Sequence, residues 1–95
     1  MANAFLEITL NVAQENRSNA GAVYTKYKQA FLSGVPGAKS KDLLLRPEDV
    51  QVLHGFDTTE NAENYLQTQL FQKDVVRELK PFLAAAPEIR IYECV

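Results

Sequence analysis

The chain has 95 residues, of which 46% are hydrophobic, so it can form one small domain over residues 1–95 and does not resemble a disordered segment. Its net charge of −2 disfavours nucleic-acid binding, because such domains carry clustered basic side chains. The nearest thing to a basic patch is interrupted by acidic or polar neighbours, and we expect its members to be solvated. These members are Lys26, Lys28, Lys39 and Lys41.

The single cysteine, Cys94, excludes an internal disulfide, and no Cys/His cluster has the spacing of a structural zinc site. The first residues lack the basic and then apolar pattern of a signal peptide. No apolar run approaches the length of about 18 residues that a membrane span needs. We therefore predict a cytoplasmic protein with no metal, no cofactor, no membrane contact and no nucleic-acid partner.

The first predicted strand spans residues 5–13, where side chains alternate with a period of two. Its fully apolar face consists of Leu6, Ile8, Leu10 and Val12. A polar loop follows, and Ser18 or Asn19 is the predicted N-cap of a helix that runs to about residue 35. Apolar side chains recur in this helix at spacings of three and four residues, and the helix ends at Gly34, Pro36 and Gly37.

Two further strands are predicted at residues 38–46 and 50–56. The turn between them is so short that they should pair as an antiparallel hairpin. The first begins with polar side chains, which indicates an edge or a rim. On the second, one face carries Val50, Val52, His54 and Phe56.

A long helical region follows, opened by Asp57 and Glu60 in a pattern that resembles a capping box. It carries two apolar stripes that are out of phase by roughly 100° on a helical wheel, so one straight helix could not bury both. The stripes are Ala62, Tyr65, Leu66 and Leu70, and then Val75, Val76, Leu79, Phe82 and Leu83. We therefore predict a break near residues 67–72, and a last strand over residues 88–95.

The resulting order, β-α-β-β-α-β, predicts an α+β ferredoxin-like fold with a four-stranded antiparallel sheet and helices on one face. The uncovered face would carry Phe56, Tyr92 and either Phe5 or its neighbours. A chain this short buries only a modest core of its own. We therefore predict a homodimer in which the two sheets pack on each other.

The order of elements and the second half of the chain resemble the dimeric α+β barrel superfamily, and within it the antibiotic biosynthesis monooxygenase-like branch. The stretches that carry the resemblance are HGFDTTE, YLQTQLF and LKPFLAAAPEIRIYE. The positions of the family pattern hold His54, Phe56, Tyr65, Leu66, Thr68, Phe71, Pro81, Tyr92 and Glu93. The resemblance implies a homodimer whose sheets form a barrel, with a pocket in each protomer between sheet and helices.

Members of this branch differ in activity. Some oxidise aromatic polyketides with O₂ and no metal or flavin, whereas others degrade haem, isomerise small metabolites or have no known activity. The quinone-forming monooxygenases use an Asn and a Trp on the third strand, where this chain has Val52 and Phe56, and the family's helix His is here Tyr65. One histidine and no tryptophan make haem degradation a poor fit.

His54 is the candidate general base or ligand hydrogen-bonding group, and Tyr65 is the candidate donor to a substrate oxygen. Each has a structural alternative: His54 could bond a backbone carbonyl or a partner, and Tyr65 could be a core tyrosine with its hydroxyl at the surface. The candidate ligand-lining residues are Phe56, Phe71, Val52 and Tyr92.

Two functions are compatible with this sequence. One is a cofactor-independent monooxygenase-like enzyme that acts on a small aromatic or quinone-like compound. The other is a non-catalytic dimeric module that binds a small apolar ligand or only packs. A cavity of roughly several hundred Å³ that His54 and Tyr65 face would favour ligand binding, and a filled interior would favour the module.

Overall fold

A four-stranded antiparallel sheet forms one layer of the computed structural model, which describes residues 2–95 apart from the side chains of Val75 and Val76. Its strands are β1 (Ala4–Leu10), β2 (Ala38–Leu45), β3 (Val50–Phe56) and β4 (Glu88–Glu93). Their order across the sheet, β2-β3-β1-β4, confirms the predicted ferredoxin-like arrangement. Strand β2, with its polar start, is an edge strand as predicted.

Helices cover one face of this sheet. A 3-10 turn (Gln14–Asn16) leads into α1 (Arg17–Gly34), and α2 (Thr59–Tyr65) follows β3. Helix α3 (Gln69–Phe71) continues as a π-helical segment (Gln72–Leu79) and a 3-10 turn (Lys80–Phe82). The interruption between α2 and α3 confirms the predicted break. In the described part of the chain, no helix is long and apolar enough to cross a membrane.

The helices start at residues other than the predicted ones. Helix α1 begins earlier, after Asn16, which makes no side-chain cap bond. Helix α2 is capped by Thr58, whose hydroxyl accepts the Asn61 backbone N–H at 3.1 Å. Asp57 accepts from the Asn61 side chain at 2.8 Å and donates its own backbone N–H to the Gly37 carbonyl. Asp57 therefore holds the turn before the helix, and the predicted capping box is wrong.

The hydrophobic core lies between the sheet and the helices. The inward side chains of β1 and β3 alternate with outward ones as predicted, and α1 supplies Val23 and Phe31. From the second predicted stripe, Leu79 is buried, and Phe82 and Leu83 pack partly buried against the core. The other two members of that stripe, Val75 and Val76, have side chains outside the described part of the structure.

The sequence led us to expect Phe56 on the uncovered face of the sheet, and this prediction is wrong. Strand β3 keeps its phase to the last residue, so Phe56 follows Val52 and His54 inward and is fully buried. The opposite face, here called the outer sheet face, is the one that no helix covers. Its apolar residues are Phe5, Leu44, Leu53 and Tyr92, and Phe5 pairs with Tyr92 across β1 and β4.

Candidate functional site

His54 lies at the centre of the sheet, paired in register with Leu6 of β1 and Lys41 of β2. Its side chain is 1% exposed, and Nδ1 is 3.2 Å from the Leu6 carbonyl oxygen. Because a carbonyl oxygen only accepts, we assign the hydrogen to Nδ1, which leaves Nε2 as an acceptor. Burial, and then the charge of Lys41, lowers the pKa of His54 to about 3. The imidazole is therefore neutral at physiological pH.

Aromatic rings pack around this imidazole. The Phe31 ring makes edge-on contacts with His54 (5.1 Å between centroids), Phe56 (5.5 Å) and Tyr65 (5.1 Å). Tyr65 in turn lies 5.5 Å from His54 and 5.5 Å from Phe71. The structure thus brings four of the predicted site residues into one cluster, centred on Phe31, which the sequence had identified only as part of a helix stripe.

Tyr65 is buried with its hydroxyl inside, and not at the surface as the structural alternative assumed. Among residues 2–95, no group bonds this hydroxyl. Burial, and then the neighbouring charge of Asp74, raises the pKa of Tyr65 above its ordinary value. The phenol therefore stays protonated and can donate one hydrogen bond to a ligand.

A buried ion pair lies beside this cluster. Lys41 Nζ is 2.9 Å from Asp74 Oδ2, and the two side chains are 1% and 3% exposed. The expectation of a solvated Lys41 is therefore wrong, because this residue lies on the inward phase of β2, opposite His54. The Tyr24 hydroxyl donates to the Lys41 carbonyl at 2.6 Å and helps to hold the strand there.

Asp74 belongs to the π-helical segment and was not identified from the sequence. Its Oδ1 atom has no hydrogen-bond partner in the part of the chain that the structure describes. Burial raises the pKa of Asp74, and the adjacent Lys41 ammonium acts in the opposite direction. Lys41 could have been identified from the sequence, because it lies on the same inward face of β2 as Leu43. A buried lysine would then have implied a buried acidic partner.

The ion pair, His54 and Tyr24 line a small cavity of about 10 Å³, whose other walls are apolar. That volume admits roughly one water molecule. Val52, predicted as ligand-lining, is one of these walls. The interior is therefore filled. His54 faces this small cavity, and Tyr65 lines a separate pocket of about 180 Å³, which is below the roughly 300–1,000 Å³ common for small-molecule sites. By the criterion set from the sequence, this observation favours the non-catalytic module.

A larger apolar groove lies next to the buried cluster. It has a volume of about 480 Å³ and is lined by Phe71, Lys80, Leu83, Ile89 and residues 84–87. Sites for small molecules commonly have volumes of roughly 300–1,000 Å³. Phe71 lines this groove and also contacts the Tyr65 ring. Phe71 therefore lies between the groove and the Tyr65 ring.

Tyr92 is the predicted site residue that the structure places elsewhere. It lies on the outer sheet face and is 47% exposed, so within one chain it lines neither the cavity nor the groove. Within residues 2–95, no group of three or more His, Cys, Asp or Glu side chains is arranged to hold a metal ion.

Solved structures with the same fold come from several bacteria. One is a candidate antibiotic biosynthesis monooxygenase from Caulobacter crescentus, with 18% identity and a TM-score of 0.81 over 97% of this chain and 89% of that one. Another candidate monooxygenase, from Bordetella bronchiseptica, has 16% identity and a TM-score of 0.81 over 98% of both chains. A heme-degrader from Mycobacterium tuberculosis, with two hemes bound in its active site, has 13% identity and a TM-score of 0.76 over 97% of this chain and 95% of that one.

These similarities confirm the fold expected from the resemblance, and at such low identities they concern the fold alone. No protein-family model matches the chain, and no curated protein matches it.

Proposed function

Because this chain has the fold of the antibiotic biosynthesis monooxygenase-like proteins, we propose that it is a cofactor-independent monooxygenase-like enzyme. Its substrate is a small aromatic or quinone-like compound. The observation that carries this proposal is the apolar groove of about 480 Å³, one wall of which is Phe71, whose ring contacts Tyr65, which in turn contacts His54.

The unpartnered polar atoms support a site that binds a ligand. Leaving a buried donor or acceptor unpaired costs about 1–3 kcal/mol. Tyr65 and His54 each have one such atom among the described residues, and so does Asp74. An interior that only packs would be more stable with apolar side chains of similar shape at these positions. A ligand that forms hydrogen bonds with these polar atoms would explain why they are buried without a partner.

The proposed reaction needs no reductant other than the substrate. A phenol and one O₂ contain together the atoms of a quinone and one water, so the ring supplies all the electrons. Within the site, His54 Nε2 accepts a hydrogen bond from the substrate hydroxyl. Tyr65 donates one to a substrate oxygen, and Phe71 moves aside so that a compound in the groove can reach both.

We also propose that a second copy of the chain covers the outer sheet face. Leu44 and Tyr92 are 43% and 47% exposed there. They share this face with Phe5 and Leu53, so the surface is more apolar than a solvated sheet face needs to be. Packing of sheet on sheet would bury these side chains and complete a barrel.

The non-catalytic module remains the second candidate, and two observations favour it. The interior cavity admits roughly one water molecule, and the described residues that line the groove are apolar apart from Lys80. A small apolar ligand could bind in such a groove without reacting. Haem fits less well, because the chain has one histidine and its Nε2 is enclosed.

Oxygen uptake with a panel of phenols, naphthols and quinols tests the proposal. We expect the purified protein to consume one O₂ per quinone formed, and Tyr65→Phe to lower turnover by about a hundredfold to a thousandfold, since it removes one donor at the reacting oxygen. Phe71→Leu should change KM, and Phe82→Leu, a matched change in the neighbouring 3-10 turn, should not. Binding of naphthols without oxygen uptake would instead support the module.

A further inference from the structure

The Lys41–Asp74 ion pair joins the π-helical segment to the edge strand β2, and the function proposed above does not use it. Both groups are almost completely buried. Burying two charges costs several kcal/mol per ion, and their attraction repays that cost only when the remaining polar atoms are also bonded. This condition is not met here, because Asp74 Oδ1 has no partner among the described residues.

Three unpartnered atoms belong to neighbouring side chains. His54 and Asp74 line the same cavity as Lys41, and Tyr65 packs on the His54 ring. Asp74 lies near enough to Tyr65 for its charge to affect the phenol. Asp74 Oδ1 and His54 Nε2 accept hydrogen bonds, and the Tyr65 hydroxyl can donate one. The cavity admits roughly one water molecule, so it suits the hydroxyl group of a ligand, whose ring would lie in the groove once Phe71 has moved aside.

The charges around the cavity determine whether such a ligand binds in its neutral or its ionised form. The groups that face Asp74 are Tyr24 from α1, Lys41 from β2, His54 from β3 and Tyr65 from α2. Lys41 is the cation among them, and Asp74 is the anion. If a phenol gives its proton to Asp74, the anionic oxygen takes the place of the carboxylate beside Lys41. The buried charge then stays balanced.

His54 is less suited to receive that proton. A protonated imidazole would be a second cation beside Lys41 in an enclosed site, and burial already lowers the pKa of His54 to about 3. Asp74 has the opposite tendency, because burial raises its pKa. The pKa is raised at Asp74 and lowered at His54, so of the two acceptors Asp74 is the one that favours receiving the proton.

We propose that Asp74 takes the proton of a phenol or enol substrate, and that Lys41 holds the resulting anionic oxygen. In this step the substrate O–H bond breaks, an O–H bond forms on Asp74, and the Lys41 ammonium exchanges one anionic partner for another. This inference rests on the proposed function, since it specifies the substrate as an ionisable phenol or enol. Because the one hydroxyl hydrogen passes to Asp74, His54 is not the base, and its Nε2 can accept from the substrate hydroxyl only before the transfer.

Binding of 4-nitrophenol tests this step without any turnover, because its absorption spectrum distinguishes the ionised from the neutral form. At one pH unit below the pKa of the free probe, we expect the wild-type protein to bind it ionised. Lys41→Met should bind it neutral or lose binding by tenfold or more. Since Lys41→Met leaves a buried acid and can unfold, the double variant Lys41→Met/Asp74→Leu is measured beside it, with the same expected loss.

The proton is located by calorimetry in two buffers of different ionisation enthalpy. We expect no net proton release when the wild-type protein binds 4-nitrophenol, because Asp74 keeps the proton. Asp74→Asn should release about one proton per probe and bind the ionised form more tightly, and His54→Asn should release none. Glu78→Gln removes the other carboxylate of the π-helical segment, which bonds Lys26 and Tyr27, and should behave as wild type.

A probe that binds neutral, that does not bind, or that releases a proton only in His54→Asn would overturn the inference. Oxygen uptake separates this result from the proposed function. Ionised binding that depends on Lys41, without oxygen uptake, would uphold the anion site and contradict the oxygenase. Oxygen uptake by a protein that binds 4-nitrophenol in its neutral form would uphold the oxygenase and contradict the roles given to Lys41 and Asp74.

Discussion

Acidification should destabilise this protein through His54, well above the pH at which most carboxylates titrate. The pKa of His54 is about 3 in the folded chain and 6.5 in its ordinary state. The unfolded chain therefore binds more protons than the folded one between these values. Stability that His54 contributes is fully present above pH 6.5 and is lost as the pH falls toward 3.

The size of the effect follows from the two pKa values. Proton linkage contributes about 1.4 kcal/mol per pH unit in this window, so a change from pH 7.5 to pH 5.0 should cost about 2 kcal/mol of unfolding free energy. Asp74 acts in the other direction, because a raised pKa gives stability that is present at low pH and lost as the pH rises. Comparison of wild type with a His54 variant isolates the histidine.

Urea unfolding followed by far-UV circular dichroism, at one protein concentration and several pH values, measures the effect. His54→Asn should keep a side-chain N–H near the Leu6 carbonyl and should be less stable at pH 7.5. Its unfolding free energy should fall by about 2 kcal/mol less than that of wild type between pH 7.5 and 5.0. Equal losses in the two proteins would refute the assignment of a buried, neutral His54.

Three further changes test other parts of the structure. Lys41→Met should lower the unfolding free energy by about 3–5 kcal/mol in urea at pH 7.5, because it leaves Asp74 buried without its cation, and Lys41→Met/Asp74→Leu should recover most of the loss. Tyr92→Asp should convert a dimer to a monomer in size-exclusion chromatography with light scattering, because it places a charge on the outer sheet face. Gly37→Ala should cost about 1–2 kcal/mol, because Gly37 has φ of 80° and an added Cβ would clash with Asp57.

Two of these changes have a matched control. Gly34→Ala adds a methyl group where nothing lies within 4 Å, so it should not destabilise α1. Ser33→Asp adds a charge on a helix, away from the outer sheet face, and should leave the dimer intact. A wild-type protein that runs as a monomer would contradict the proposed assembly. A double variant as unstable as Lys41→Met would show that the lost ammonium contributed through packing and not through its charge.

The sheet could be predicted closely because its signals are local. The alternation from Val50 to Phe56 matches β3 over its whole length, and the short turn before it determines its partner. The break after α2 was predicted from the phase of two apolar stripes, a pattern that also depends only on nearby residues. Helix starts were less accurate, because Thr58 and Asp57 are both good caps and only tertiary contacts decide between them.

The site was predicted only in part, because its remaining polar residues are determined by distant contacts. His54 and Tyr65 were identified by type and position, whereas Lys41 and Asp74 are of the kinds that normally lie in solvent. Their pairing joins residues 33 positions apart, which no local pattern shows. The π-helical geometry around Asp74 also shifts residues away from the faces that an α-helical wheel assigns.

That π-helical segment has a consequence for finding a ligand. Its 8 residues are in a form that proteins mostly use for single turns, and it carries Asp74 over the buried cluster. Backbone amides in such a segment should open more often than those of the strands and exchange with deuterium sooner. A compound bound beneath it would slow that exchange in proportion to its occupancy. The amides of residues 72–79 can therefore report binding of any compound, before a reaction has been found.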